Sequence, residues 1–209
     1  MRLCAWCGRR LGGSGRPVSE FVAVTKVLSE TPLITDYRLS LPKDLTPYRT
    51  IFLADDSLAR VSPGEATRLS DFAGKGGRLI LACNAFFQGT VSSANDVLAN
   101  SGLAVVDRDW GWAVTVTNSP PDALTQGVGR LQFHRPSLVT ASKESKARML
   151  APSPDGKGGF VAVSELASAG EVIVLAQSLW WSWVNATNSD NPRLLSNLLQ
   201  GEKQQECVR

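Results

Sequence analysis

The sequence predicts a three-layer α/β sandwich on a mainly parallel central sheet, and three observations carry that prediction. Thr50-Ile51-Phe52-Leu53-Ala54 and Leu79-Ile80-Leu81-Ala82 are short apolar runs without polar alternation, the pattern of strands covered on both faces. Between them, Ser62-Pro63-Gly64-Glu65 has the form of a capping box with proline at the first helical position, so a helix is expected from about Pro63. Ala66, Leu69, Phe72 and Ala73 then recur at spacings of three and four, and Gly76-Gly77 supplies a left-handed stop. Strand, helix and strand make a βαβ unit, whose crossover is almost always right-handed.

The other elements follow in chain order. Arg2 to Cys7 is a candidate first strand, Val18 to Ser29 reads as a helix after Pro17, and Tyr37 to Leu41 is a weaker strand. Ala94 to Asn100 is a short helix stopped by Gly102, with Leu103 to Val106 as the strand after it. Val114 to Thr117 and Pro136 to Thr140 look extended, and Phe160 to Ser164 and Val172 to Ala176 are stronger strands joined by a turn at Ala169-Gly170. Asn191-Pro192 opens a last helix through Leu194, Leu195, Leu198 and Leu199. The order alternates, with a β-rich insertion in the second half.

A chain of 209 residues fits a single domain over 1–209, with 1–16 fitting it poorly and 201–209 a polar tail. At this size roughly 70% of the unfolded surface can be buried, so neither a disulfide nor a metal is needed for stability. No run of 18 apolar residues occurs, and a membrane span is not expected. Arg9 and Arg10 follow only a few apolar positions, which lacks the apolar core of a secretory signal and points to a cytoplasmic location. The net charge is +3, and apart from Arg2, Arg9, Arg10 and Arg16 the basic residues are spread along the chain, which argues against a nucleic-acid partner. Gly12-Gly13-Ser14-Gly15 reads as a loop or linker.

Cys4 and Cys7 form one half of a zinc knuckle, and the other half is missing. Cys83 and Cys207 are distant in sequence and His134 is the only histidine, so Cys4 and Cys7 read as a first strand and the loop after it. No metal and no cofactor are expected; the chain has neither a Gly-x-Gly-x-x-Gly fingerprint nor a P-loop.

Arg49 to Asn84 resembles the class I glutamine amidotransferase-like domain, a flavodoxin-like sandwich, and in particular its non-catalytic ThuA-like and DUF4350-like branch. Ala94-Asn95-Asp96-Val97-Leu98-Ala99-Asn100-Ser101-Gly102-Leu103 is similar to that branch's N-x-L-L-x-x-x-G-L segment, with Val97 in place of the first leucine. Leu124-Thr125-Gln126-Gly127-Val128, Gly170-Glu171-Val172-Ile173-Val174-Leu175 and Asp190-Asn191-Pro192-Arg193-Leu194-Leu195 continue the resemblance, which covers roughly Thr50 to Leu199.

In catalytic members of that family a cysteine stands on a tight turn after a strand, served by backbone amides and a late His-x-Glu pair. Cys83 holds the corresponding strand end, but Ala82 and Asn84-Ala85-Phe86-Phe87 replace the flanking glycines, and Gln177-Ser178-Leu179-Trp180-Trp181 stands where the histidine belongs. His134 is the one substitute base, and Arg135 beside it disfavours the imidazolium that catalysis would pass through. Cys83 and His134 are thus the catalytic candidates, and Cys83 is expected to be a small buried hydrophobe.

Ligands of open α/β sheets bind outside the carboxyl ends of the strands. There the sequence places Asp55, Asp56 and Ser57 after one strand, Asn84 and Phe87 after the next, and Gln177 and Ser178 after a late one. These are mainly acceptors, which disfavours phosphate there. Tryptophan clusters at Trp110-Gly111-Trp112 and Trp180-Trp181-Ser182-Trp183 offer large amphipathic contact area, and Trp180, Trp181 and Trp183 are the candidate contacts to a protein or carbohydrate partner. The expected function is a non-catalytic ligand-binding or protein-assembly module. The alternative is a cysteine-dependent hydrolase or amidotransferase using Cys83.

Overall fold

A computed structural model describes residues 2–6, 25–31, 34–38, 40–55, 57–83, 85, 89–108, 110–177 and 188–201. Five parallel strands form one half of the main sheet: β1 (Arg2–Trp6), β2 (Ile34–Arg38), β3 (Thr50–Ala54), β4 (Arg78–Ala82) and β11 (Glu171–Leu175), in the order β2-β1-β3-β4-β11. The register is unbroken across the middle, with Thr50 beside Arg78 and Arg78 beside Glu171. The Arg78 guanidinium pairs with the Glu171 carboxylate and donates to the carbonyl of Leu198 at 2.9 Å.

The second half is antiparallel and comes from the insertion. β10 (Gly159–Glu165) pairs with β11, and β9 (Ala147–Pro152) and β8 (Leu138–Ala141) both pair with β10. β5 (Leu103–Val106) closes the far edge against β8. β6 (Val114–Val116) and β7 (Leu131–Phe133) form a small separate sheet.

Alternation along each central strand builds two cores. Phe52, Ile80 and Ile173 face one side with Leu194, Leu195, Leu198 and Leu199 of helix α3 (Asn191–Gln200), joined by Val27 and Leu28 of the helical residues 25–29. Ile51, Leu53, Leu79, Leu81 and Val174 face the other side with α1 (Pro63–Gly74) and α2 (Thr90–Leu98). Both faces are covered, which is why the runs at Thr50 and Leu79 show no alternation. The expected three-layer, mainly parallel, flavodoxin-like sandwich with a β-rich insertion is the architecture observed.

α1 starts at the expected place: Ser62 Oγ accepts from Glu65 N–H and the Glu65 carboxylate accepts from Ser62 N–H. At its other end Gly76 takes φ +95, and Gly77 leaves room for the Phe72 ring, which a Cβ there would meet at 2.4 Å. Several boundaries differ. The weak strand lies at Ile34–Arg38, not Tyr37 to Leu41, because β2 is an exposed edge strand whose pairing ends with its partner at Trp6. Most of its side chains lack the burial that would mark it in sequence. The short helix begins at Thr90, four residues before Ala94, and β7 and β9 are strands that the sequence pattern does not predict.

The insertion is clamped onto α3 by polar side chains. Asp190 Oδ2 accepts the amides of Gly129 and Arg130, each at 2.8 Å. Asn191 exchanges two hydrogen bonds with the backbone of Gln132, and Asn197 donates to the carbonyls of Leu124 and Gln126.

Candidate functional site

The carboxyl ends of β3, β4 and β11 meet at one edge of the sheet, where the sequence places both the catalytic and the ligand-binding candidates. Cys83 follows β4 directly and has no exposed surface. Its amide donates to the carbonyl of Leu175 at 3.0 Å. Burial first, then the charge of Asp55, push its thiol well above the ordinary range. A nucleophilic cysteine needs a neighbouring cation or base; the nearby charge here is a carboxylate, which opposes thiolate formation.

His134 is half-buried, and its described hydrogen bond is from the backbone: its amide donates to Gln177 Oε1 at 2.7 Å. No hydrogen bond joins Cys83 to His134.

The ligand-binding candidates divide. Asp55 sits at the end of β3 with φ +44, a left-handed conformation that a short polar side chain tolerates. Ser57 is fully buried, and its hydroxyl donates to the carbonyl of Ala54 at 2.6 Å while accepting from the amide of Ala54. Gln177 is fully buried and fixes the segment at His134. Asp56, Asn84, Phe87 and Ser178 lie outside the described residues, as do Trp180, Trp181, Trp183, Cys7 and Cys207.

The segment between β7 and β8 is tied to this edge. Ser137 N–H donates to the carbonyl of Ala176 at 2.9 Å, and Ser137 Oγ accepts from the amide of Ala85 at 2.9 Å. Loops after β4 and β11 are thereby tied to one buried serine, over the strand end that carries Cys83.

Among the described residues no three His, Cys, Asp or Glu side chains gather to hold a metal, and Cys4 is buried in β1. No helix of the described residues is long and apolar enough to cross a membrane. Of the described tryptophans, Trp110 is half-buried edge-on to Phe160 at 5.4 Å, whereas Trp112 is 75% exposed with the Arg135 guanidinium 5.1 Å from its ring.

The opposite edge holds a feature that sequence reasoning missed. At the amino ends of β1, β3 and β4 an open groove of about 680 Å³ is lined by Arg2, Lys43, Arg49, Arg68 and Lys75, with Asp71 as its one carboxylate. Arg68, Asp71 and Phe72 come from one face of α1 and Lys75 from the residue that caps its carboxyl end, at spacings of three and four. Arg2 and Arg49 come from strand starts and Lys43 from the loop before β3.

The groove is held in shape by its own backbone. The Arg68 guanidinium donates to the carbonyls of Pro42 and Lys43, and Arg49 Nη1 donates to the carbonyl of Gly76 at 2.9 Å. Tyr48 stands on the wall, its hydroxyl donating to Asp36 Oδ2 at 2.7 Å. That bond, and then the Arg38 guanidinium, hold the Asp36 carboxyl below its usual range. The sequence signal is faint because the five cations lie in four separate stretches of chain, and only the βαβ crossover brings them together.

No protein-family model matches the chain, and no curated protein does. Solved structures do. The mmIFT52 N-terminal domain aligns with a TM-score of 0.66 at 10% identity, covering 96% of this chain and 96% of that one. A putative GMP synthase subunit from Thermoplasma acidophilum aligns with a TM-score of 0.60 at 8% identity, covering 100% of this chain and 96% of that one. At such identities the likeness shows a shared α/β fold.

Proposed function

We propose that this chain is a non-catalytic domain of the class I glutamine amidotransferase-like type, acting as a binding or assembly module. The observation that carries the reading is Cys83: it occupies the strand end where a nucleophile would stand, has no exposed surface, and is kept protonated by burial and by Asp55. A thiol in that setting can neither reach a substrate nor ionise to attack one. The ThuA-like and DUF4350-like branch is the part of the family that this reading favours, since it is the branch that dispenses with the triad. Both solved neighbours are named as parts of something larger, an N-terminal domain in one case and a synthase subunit in the other, which suits a domain that works by association.

Within the module, Ser57 and Gln177 position loops, and exposed Trp112 is the described aromatic best placed for a protein or carbohydrate contact. The test is alkylation of the folded chain by iodoacetamide, followed by peptide mapping. Cys83 is expected to stay unmodified until denaturant unfolds the chain. Rapid labelling, with an apparent pKa below about 8.5, would instead support the hydrolase or amidotransferase alternative.

A further inference from the structure

We infer that the groove at the amino ends of β1, β3 and β4 is a binding site for a small ligand bearing two or more phosphate groups. The inference rests on the reading of the chain as a binding module and gives that module a ligand class.

The first support is charge. The whole chain carries a net charge of only +3, yet five cationic side chains and a single carboxylate line this one cavity. Outside it, acidic and basic residues nearly balance. Among the described residues no carboxylate lies within ion-pair distance of Arg2, Lys43, Arg49, Arg68 or Lys75. Nearby carboxylates are engaged elsewhere: Asp36 with Tyr48 and Arg38, and Asp44 with Thr46. Five cations face one lining carboxylate, Asp71, with Asp36 acting on Arg2 from outside the lining; the cations remain in excess and repel one another, and a polyvalent anion is what relieves that repulsion.

The second support is geometry. Arg49 and Arg68 each commit part of the guanidinium to backbone carbonyls, which fixes the fork and leaves the remaining N–H donors for a ligand. Fixed guanidinium forks suit the oxygens of phosphate and give two parallel bonds at once.

The third support is size. A cavity of about 680 Å³ lies inside the roughly 300–1,000 Å³ range of small-molecule sites. A nucleic-acid strand needs a continuous basic track, and a near-neutral remainder does not supply one. Leu45, Pro47, Tyr48 and Phe72 add an apolar wall beside the cations, against which a planar or apolar portion of the ligand can lie.

The experiment is calorimetric titration of the full chain with ATP, pyrophosphate and citrate at low ionic strength. ATP and pyrophosphate are expected to bind, and raising the salt severalfold is expected to weaken both. ATP binding more tightly than pyrophosphate identifies a nucleotide as the source of the phosphates, and equal affinity identifies an inorganic polyphosphate; both support the site.

Lys43→Gln combined with Lys75→Gln, two exposed changes that leave the fixed arginines in place, is expected to weaken binding about tenfold. Lys143→Gln with Lys157→Gln, on exposed turns of the insertion, is expected to leave it unchanged. No binding of either phosphate ligand, citrate binding as well as they do, or equal losses in the two double variants would overturn the inference. Phosphate release measured on the same samples keeps the two readings apart. Binding with turnover would sink the non-catalytic reading and keep the groove; an inert Cys83 with no binding would do the reverse.

Discussion

At the carboxyl ends of the parallel strands the side chains of Ser57, Ser137 and Gln177 are buried and hydrogen-bonded to the loops they hold, with Cys83 sealed beneath. At the amino ends of the same strands Arg2, Lys43, Arg49 and Lys75 stand exposed around an open groove. In open α/β sheets the carboxyl edge is the usual place for a ligand. Here the segment from His134 to Ser137 ties together the described starts of the loops after β4 and β11, and the described groove opens at the other end. Tying an edge with polar side chains satisfied internally builds stability, whereas gathering cations in excess at the other leaves free energy for a ligand to recover.

The largest test of the contrast is steric. Gly170 closes the β10–β11 turn against the carboxyl terminus of α1, just behind the groove. A Cβ there would stand 1.8 Å from the carbonyl oxygen of Ala73 and 3.2 Å from Gly76 Cα. Both obstacles are backbone, so the turn must move. Gly170→Ala is expected to cost about 3 kcal/mol, read from the urea midpoint. A variant as stable as the parent would mean that the groove's floor is soft, and the fixed arginine geometry would lose its basis.

A smaller effect compares the edges directly. Gln177→Leu removes the acceptor of the His134 amide from a fully buried position and is expected to cost about 2 kcal/mol. Lys75→Gln changes an exposed side chain at the opposite edge and is expected to shift stability by less than about 0.5 kcal/mol. Equal losses, measured in the same denaturant series, would break the division between a structural edge and a binding edge.

The central βαβ unit is legible in the sequence because its signals are local: the capping box at Ser62, the stripe of Ala66, Leu69 and Ala73, and Gly76-Gly77 all lie within sixteen residues. β7 and β9 are not legible, since β7 is only Leu131-Gln132-Phe133 and the apolar run of β9 is only Met149-Leu150-Ala151, and each is fixed by its pairing to another strand, β6 or β10. Asp190 and Asn191 are legible as part of a motif, but their work as clamps on the insertion, shared with Asn197, emerges only once β7 is docked on α3. The groove is hidden for a similar reason. Arg2 stands in an N-terminal basic run, whereas its partners Lys43, Arg49, Arg68 and Lys75 are isolated charges in sequence that the parallel pairing of β1, β3 and β4 gathers at one end.

The finest test reads the carboxyl edge through pH. Burial and Asp55 raise the Cys83 thiol above its ordinary value near 9.0, while in the unfolded chain it ionises near that value. Below pH 9 both states hold the proton, and the contribution of Cys83 to stability is fully present. Above pH 9 the unfolded state releases its proton and the folded state does not, so stability falls as pH rises, by a slope that approaches about 1.4 kcal/mol per unit. Between pH 9 and 10 the parent is expected to lose about 1 kcal/mol more than Cys83→Ala, which has the same other ionisable groups. Parallel stability curves for the two proteins would show that the thiol ionises without unfolding. Water would then reach the end of β4, and the contrast between a tied carboxyl edge and an open amino edge would fail at the residue on which it most depends.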